Sequence, residues 1–189
     1  MKKKLILIGA STGGPGHFKK ILSNLSTNFK IPIVIAQHMN SVFIKSFVKQ
    51  FNDELSFDVV LADNSHCIQD ETIYICAKHC EIKKDGYKLT LVHNEKVQSH
   101  YNPSVNHLFS SVKTLTNDYD ILAILLTGIG QDGALGLAEL KDAGATCVAE
   151  SEESAIVYGM PKKAAELNPQ IKVLNLDNII NYIKQFGAM

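Results

Sequence analysis

The run Leu5-Ile-Leu-Ile-Gly-Ala10 is apolar without alternation and breaks off in a glycine-rich turn, Ser11 to Gly16. A strand with one face in water alternates apolar and polar residues. A short continuous apolar run instead reads as a strand covered on both faces, as in a parallel sheet. The feature recurs at Pro32-Ile-Val-Ile-Ala36 and, most apolar of all, at Ile121-Leu-Ala-Ile-Leu-Leu126. Parallel neighbours cannot be joined by tight hairpins and require crossovers, usually helices. Helical spacing follows the first two runs: His17 to Leu25, with apolar Phe18, Ile21, Leu22 and Leu25, and Ser41 to Phe51, with Val42, Phe43, Phe47, Val48 and Phe51.

The middle of the chain changes character. Val59-Val-Leu61, Thr72-Ile-Tyr-Ile75, Cys80-Glu-Ile-Lys83 and Lys88-Leu-Thr-Leu91 read as short strands. The last two alternate around Asp85-Gly86, a hairpin signal. Val105 to Leu115 returns to helix. The strand at 121–126 leads through Thr127-Gly-Ile-Gly-Gln-Asp-Gly133 into a helix reaching Leu140. Thr146-Cys-Val-Ala149 is a further strand, Pro161 opens a helix at its favoured first position, and Lys172-Val-Leu-Asn-Leu176 reads as a late strand. The expected fold is α/β: a doubly wound, mostly parallel sheet flanked by helices, with an antiparallel hairpin inserted. At 189 residues, without repeat, linker or low-complexity tract, residues 1–189 read as one domain.

Charge narrows the function classes. Nineteen basic and nineteen acidic residues cancel, and the only basic run is Lys2-Lys3-Lys4, so an electrostatic nucleic-acid surface is disfavoured. The apolar stretch after those lysines is too short for a signal sequence or a membrane span, which predicts a soluble, cytoplasmic chain without membrane insertion. Cys67, Cys76, Cys80 and Cys147 read as reduced, buried thiols rather than a disulfide framework. The grouping of His66, Cys67, Cys76, His79 and Cys80 matches no standard zinc spacing, and no metal site is expected.

The first strand–turn–helix carries Gly9-Ala-Ser11-Thr-Gly13-Gly14. It is no P-loop, because Pro15-Gly16 stand where Lys and Ser/Thr belong, and no dinucleotide fingerprint, because Ser11 replaces the second glycine. It satisfies G-x-S-x-G in the strand-before, helix-after context of a nucleophile elbow. The residues leave three roles open for Ser11: a helix cap, a nucleophile, or part of an anion cradle at a helix N-terminus. His38 lies just past the second strand, on the same sheet edge as Ser11, within reach of a serine on an adjacent strand about 5 Å away. Asp132 follows the most apolar strand at that edge; it suits a carboxylate that orients an imidazole, a helix N-cap, or both. The order Ser, His, Asp differs from the Ser, Asp/Glu, His order of the α/β-hydrolases. Glu150, Glu152 and Glu153 beside Ser154 read as a solvated loop or helix start, and Met39 as packing.

Gly9-Ala-Ser-Thr-Gly-Gly14, Gln37-His-Met39, Leu126-Thr-Gly-Ile-Gly-Gln-Asp-Gly-Ala134 and Val157-Tyr-Gly-Met-Pro161, with Pro103-Ser-Val105 between them, resemble in order the signature blocks of the chemotaxis methylesterase (CheB) catalytic domain. The resemblance implies a doubly wound α/β fold and a Ser11, His38, Asp132 triad. It also implies an oxyanion hole using the backbone N–H of Ile129, in a slot usually held by Met, with Thr12, Gly13 and Gly130 in the same polar site. The implied reaction is cofactor-free hydrolysis of glutamate γ-methyl esters on the cytoplasmic domains of methyl-accepting chemoreceptors, releasing methanol. Deamidation of receptor glutamines accompanies it. Family members usually carry an N-terminal receiver domain, and none is expected in this chain. Three positions depart from the family pattern: Asn106 replaces an acidic residue, Tyr101-Asn102 replace basic ones, and Cys76 to Cys80 replace an Ala-Pro-Gly type loop. The first two are expected to border the receptor-binding cleft.

Overall fold

The computed structural model describes residues 2–188, the side chain of Ser41 excepted. Strand β1 (Lys3–Ala10) feeds helix α1 (Gly14–Ser23), and β2 (Ile33–Gln37) feeds α2 (Ser41–Glu54). Next come β3 (Asp58–Ala62), β4 (His66–Cys67), β5 (Thr72–Cys76), and the hairpin strands β6 (Cys80–Asp85) and β7 (Lys88–His93). Helix α3 (Val105–Ser111) ends in a 3-10 turn, Lys113–Leu115. The chain closes with β8 (Tyr119–Leu125), α4 (Ala134–Asp142), β9 (Thr146–Glu150), α5 (Met160–Leu167), β10 (Lys172–Leu174) and α6 (Leu176–Ala188).

Seven strands form one sheet in the order β10-β9-β8-β1-β2-β5-β3, with every pairing parallel. The apolar runs occupy its centre, as their lack of alternation requires. Leu5 and Leu7 of β1 face one layer, with α3, α4 and α5; Ile6 and Ile8 face the other, with α1, α2 and α6. All four side chains are fully buried, and each contributes about 1.5–3 kcal/mol by leaving water. The hairpin turns at Asp85-Gly86 as read from sequence, and Gly86 has φ 58°. It joins β4 in a separate antiparallel sheet, order β4-β7-β6, whose Ile82, Leu89 and Leu91 pack on the first layer.

Three local readings change. In α2 the buried stripe is Ile44, Val48 and Phe51, while Val42 and Phe43 point outward. The late strand stops at Leu174, because the Asn175 side chain accepts the Asn178 N–H at 3.0 Å and starts α6 instead. That helix, absent from the sequence reading, buries Leu176, Ile179, Ile180, Ile183 and Phe186, a 3.6-residue stripe. Cys76, Cys80 and Cys147 are buried as expected, but Cys67 is exposed. Burial pushes the Cys147 thiol up to about 12. Among the described residues, no helix is long and apolar enough to cross a membrane.

The topology fixes where chemistry can gather. From β1 the chain winds outward through β2 to β3 and β5, then returns to β8 on the other side of β1 and winds the opposite way. The β1/β8 boundary is therefore the switch point, where connections diverge and leave a crevice at the carboxyl ends of the strands.

Candidate active site

Ser11, His38 and Asp132 all leave the sheet at that edge. β1 and β2 are in register through Ala10 and Gln37, and the His38 N–H continues the ladder onto the Ala10 carbonyl at 3.1 Å. Ser11 and His38 are thus the next residues along two adjacent strands. On the other side, the Ser11 N–H donates to the Thr127 carbonyl at 3.0 Å, continuing the β1–β8 pairing.

The turn after Ser11 needs glycine at position 13, where φ is +90° and the residue caps α1. Ser11 is not the helix cap: Gly13 holds that place, and among the described residues no side chain bonds to the first amides of α1. The Ser11 hydroxyl makes no hydrogen bond to a protein group among the described residues, and the His38 ring bonds to Asp132 instead. Close approach of the Thr127–Gly133 loop to this turn depends on Gly128, where an added Cβ would lie 2.8 Å from the Ser11 Cβ.

Asp132 is almost fully buried yet makes four hydrogen bonds. Its Oδ2 faces the His38 Nε2 at 2.8 Å and accepts the Val105 N–H at 2.7 Å; its Oδ1 accepts the Asn106 N–H at 3.0 Å and the Ser104 hydroxyl at 3.2 Å. The expected capping role falls on a different helix. Gly133, with no side-chain cap, precedes α4, whereas the Asp132 carboxylate meets the first amides of α3. Burial pushes the Asp132 carboxyl up, but the His38 bond and the Asn106 and Val105 amides outweigh it, and the group is held below its ordinary value. Donation by the His38 Nε2–H to this carboxylate leaves Nδ1 as the basic nitrogen.

The other expected residues lie on the two turns flanking Ser11. Ile129 is exposed, and Gly130 takes φ +89° under the Tyr101 hydroxyl. Among the described residues, the amides of Thr12, Gly13, Ile129 and Gly130 donate to no other protein group, so two turns offer free N–H groups at one edge.

Several residues make contacts here that the sequence did not assign to them. Tyr101 stacks on His38, with ring centroids 4.9 Å apart and planes 12° off parallel. The Gln37 side chain is buried, and its Nε2 donates at 2.9 Å to both the Ser11 and His38 carbonyls, tying the two turns together. The Ser104 hydroxyl donates to Asp132, while its N–H donates to the His79 Nδ1 at 3.1 Å. Asn106 turns its Oδ1 onto the Gly136 N–H at 2.8 Å, bracing α3 against α4. Glu150 overturns its sequence reading: it is fully buried, whereas Glu152 and Glu153 are exposed. Met39 packs on the second layer as read. An open cleft beside Gly130 is lined by Tyr101, Gln131, Gly159, Lys162 and Lys163. No cluster of three or more potential metal ligands occurs among the described residues.

Residues 6–183 match the family model described as CheB methylesterase. The chain is 36% identical over 184 residues to a protein-glutamate methylesterase/protein-glutamine glutaminase of Halalkalibacterium halodurans, covering 96% of this chain and 53% of that protein. It is 34% identical over 181 residues to the protein of the same description from Bacillus subtilis, covering 94% and 50%. The crystal structure of the Thermotoga maritima CheB methylesterase catalytic domain aligns with a TM-score of 0.89 at 28% identity, covering 98% of this chain and all of that one. The chain spans about half the length of the curated relatives it matches.

Proposed function

This chain belongs to the CheB methylesterase family, and from that premise we propose that it hydrolyses glutamate γ-methyl esters on the cytoplasmic domains of methyl-accepting chemoreceptors. In this reading it also deamidates specific receptor glutamines, and it works in the cytoplasm. The observation that carries the proposal is the His38–Asp132 pair at 2.8 Å, half-buried His38 on a buried carboxylate, with His38 one strand over from Ser11. A phosphate cradle would need neither partner.

In the proposed mechanism the Ser11 hydroxyl attacks the side-chain carbonyl carbon while the His38 Nδ1 takes its proton. Asp132, ionised at neutral pH, holds the ring by its Nε2–H and stabilises the imidazolium. The developing oxyanion meets the Ile129 N–H, helped by its neighbours on the two turns and the positive end of α1. Collapse breaks the ester C–O bond, and the imidazolium returns its proton to methanol. Water, deprotonated by His38, then attacks the acyl-enzyme and releases the glutamate carboxylate and free Ser11. An amide follows the same path with ammonia as leaving group. No cofactor enters.

The test is methanol release from methylated receptor membranes. Ser11→Ala is expected to lower the rate by roughly 10⁶-fold with the fold intact. An active Ser11→Ala protein overturns the nucleophile assignment.

A further inference from the structure

A second buried histidine–carboxylate pair lies behind the Ser11 turn, outside the proposed proton path. Glu150, at the end of β9, is fully buried, and His17, in α1, nearly so. Their Oε1 and Nε2 are 2.8 Å apart. The Glu150 Oε1 also accepts the Ser154 hydroxyl at 2.7 Å, and that hydroxyl accepts the Leu176 N–H at 2.8 Å. The other oxygen, Oε2, accepts the Thr127 N–H at 2.8 Å.

Thr127 is the connection to the site. Its carbonyl holds the Ser11 N–H at 3.0 Å, and its hydroxyl donates to the Thr12 carbonyl at 2.9 Å while accepting the Val157 N–H at 2.9 Å. The Ser11–Thr12 backbone is therefore fastened to Thr127, and Thr127 is fastened to Glu150. We propose that His17 and Glu150 are a positioning pair for the nucleophile turn: His17 keeps the buried carboxylate in place, and the carboxylate fixes Thr127, which sets Ser11 against the Ile129–Gly130 amides. The proposal rests on the reading of Ser11 as nucleophile.

A buried carboxylate is stable only while its charge is matched, and removal of one partner leaves it uncompensated. Without His17, Glu150 keeps only a hydroxyl and one amide. It then takes up a proton or moves toward solvent, and either change loosens its hold on Thr127. Burial alone would push the His17 imidazole down, but the hydrogen bond and charge of Glu150 reverse this and leave it raised, consistent with a paired ring.

The experiment measures the rate at which a fluorophosphonate ester probe labels Ser11 in the purified chain, alongside the midpoint of thermal unfolding. His17→Ala is expected to label about tenfold more slowly while folded, the penalty of a small displacement at the reacting atom. Glu150→Ala, which removes the Thr127 acceptor, is expected to slow similarly, and Glu150→Gln to retain more of the rate than Glu150→Ala. The decisive variant is His17→Ala with Glu150→Gln. An amide still accepts the Thr127 N–H but strands no charge, so the double variant should label faster than His17→Ala alone. If His17→Ala does not fold, Glu150→Ala against Glu150→Gln reads the same dependence. Equal labelling of all folded variants, or a double variant slower than both singles, overturns the positioning role. A wild-type chain that is not labelled, or labelling that persists in Ser11→Ala, overturns instead the nucleophile reading beneath it.

Discussion

Two buried carboxylates stand at the same edge of the sheet, each facing a histidine Nε2 at 2.8 Å. Asp132 follows β8 and Glu150 ends β9, on neighbouring strands. Their chemistry differs through what surrounds the imidazole. His38 follows a strand beside Ser11 and carries Tyr101 on its face, and its Nδ1 is not the nitrogen that meets Asp132. His17 sits inside the helix behind the turn, its Nε2 shared between Glu150 and the Ser154 carbonyl at 3.3 Å. In the proposed reading, an identical contact serves proton transfer in one place and anchorage in the other. The difference lies in register and access, not in the pair.

The largest test of that contrast is activity. His38→Ala should lower turnover by roughly 10⁵–10⁶-fold and Asp132→Asn by about 10⁴-fold, since an orienting group is less costly to lose than the base. Methanol release under saturating substrate checks both, and equal, total loss in the two would break the separate roles. The effect expected of His17→Ala, about tenfold on probe labelling, lies far below either.

Stability against pH should separate the pairs by sign. Asp132 is held below its ordinary 3.8, so its contribution is complete above that value and is lost as pH falls through the folded pKa. His17 is held above its ordinary 6.5, so its contribution is complete below 6.5 and is lost as pH rises through the folded pKa. Thermal midpoints measured across pH should show Asp132→Asn flattening the acid limb and His17→Ala flattening the decline above 6.5. Flattening of the same limb by both would erase the distinction. The smallest effect belongs to a pair in water: Lys84 and Asp118, bonded across the surface, should part in Asp118→Asn with no measurable change in the thermal midpoint, because solvent screens such pairs.

The fold was legible wherever the signal was local. Unalternating apolar runs identified the central strands, Asp85-Gly86 identified the hairpin, and Pro161 marked the opening of α5 at its second position. The late strand misled only at its far end: Asn175 between two leucines suits a strand by pattern, yet its side chain caps α6. In the site, G-x-S-x-G located the turn and the shared edge brought His38 to it. Asp132 was legible as a buried carboxylate, but not as the group that meets the α3 amides. Glu150 could not be told from Glu152 and Glu153, because three acids near a serine look alike until one is seen beneath the sheet edge.

By itself the sequence determined the central strands, the hairpin and the turn that carries Ser11, because periodicity and turn chemistry depend on residues within a few positions of one another. Only the tertiary structure decided that β8 lies beside β1 and β9 beside β8. All the core strands carry the same apolar pattern, so nothing local encodes their order. That order brings Asp132 to His38 across 94 residues and Glu150 to His17 across 133. A hydrogen bond requires partners within about 3 Å in space, and distance along the chain says nothing about that.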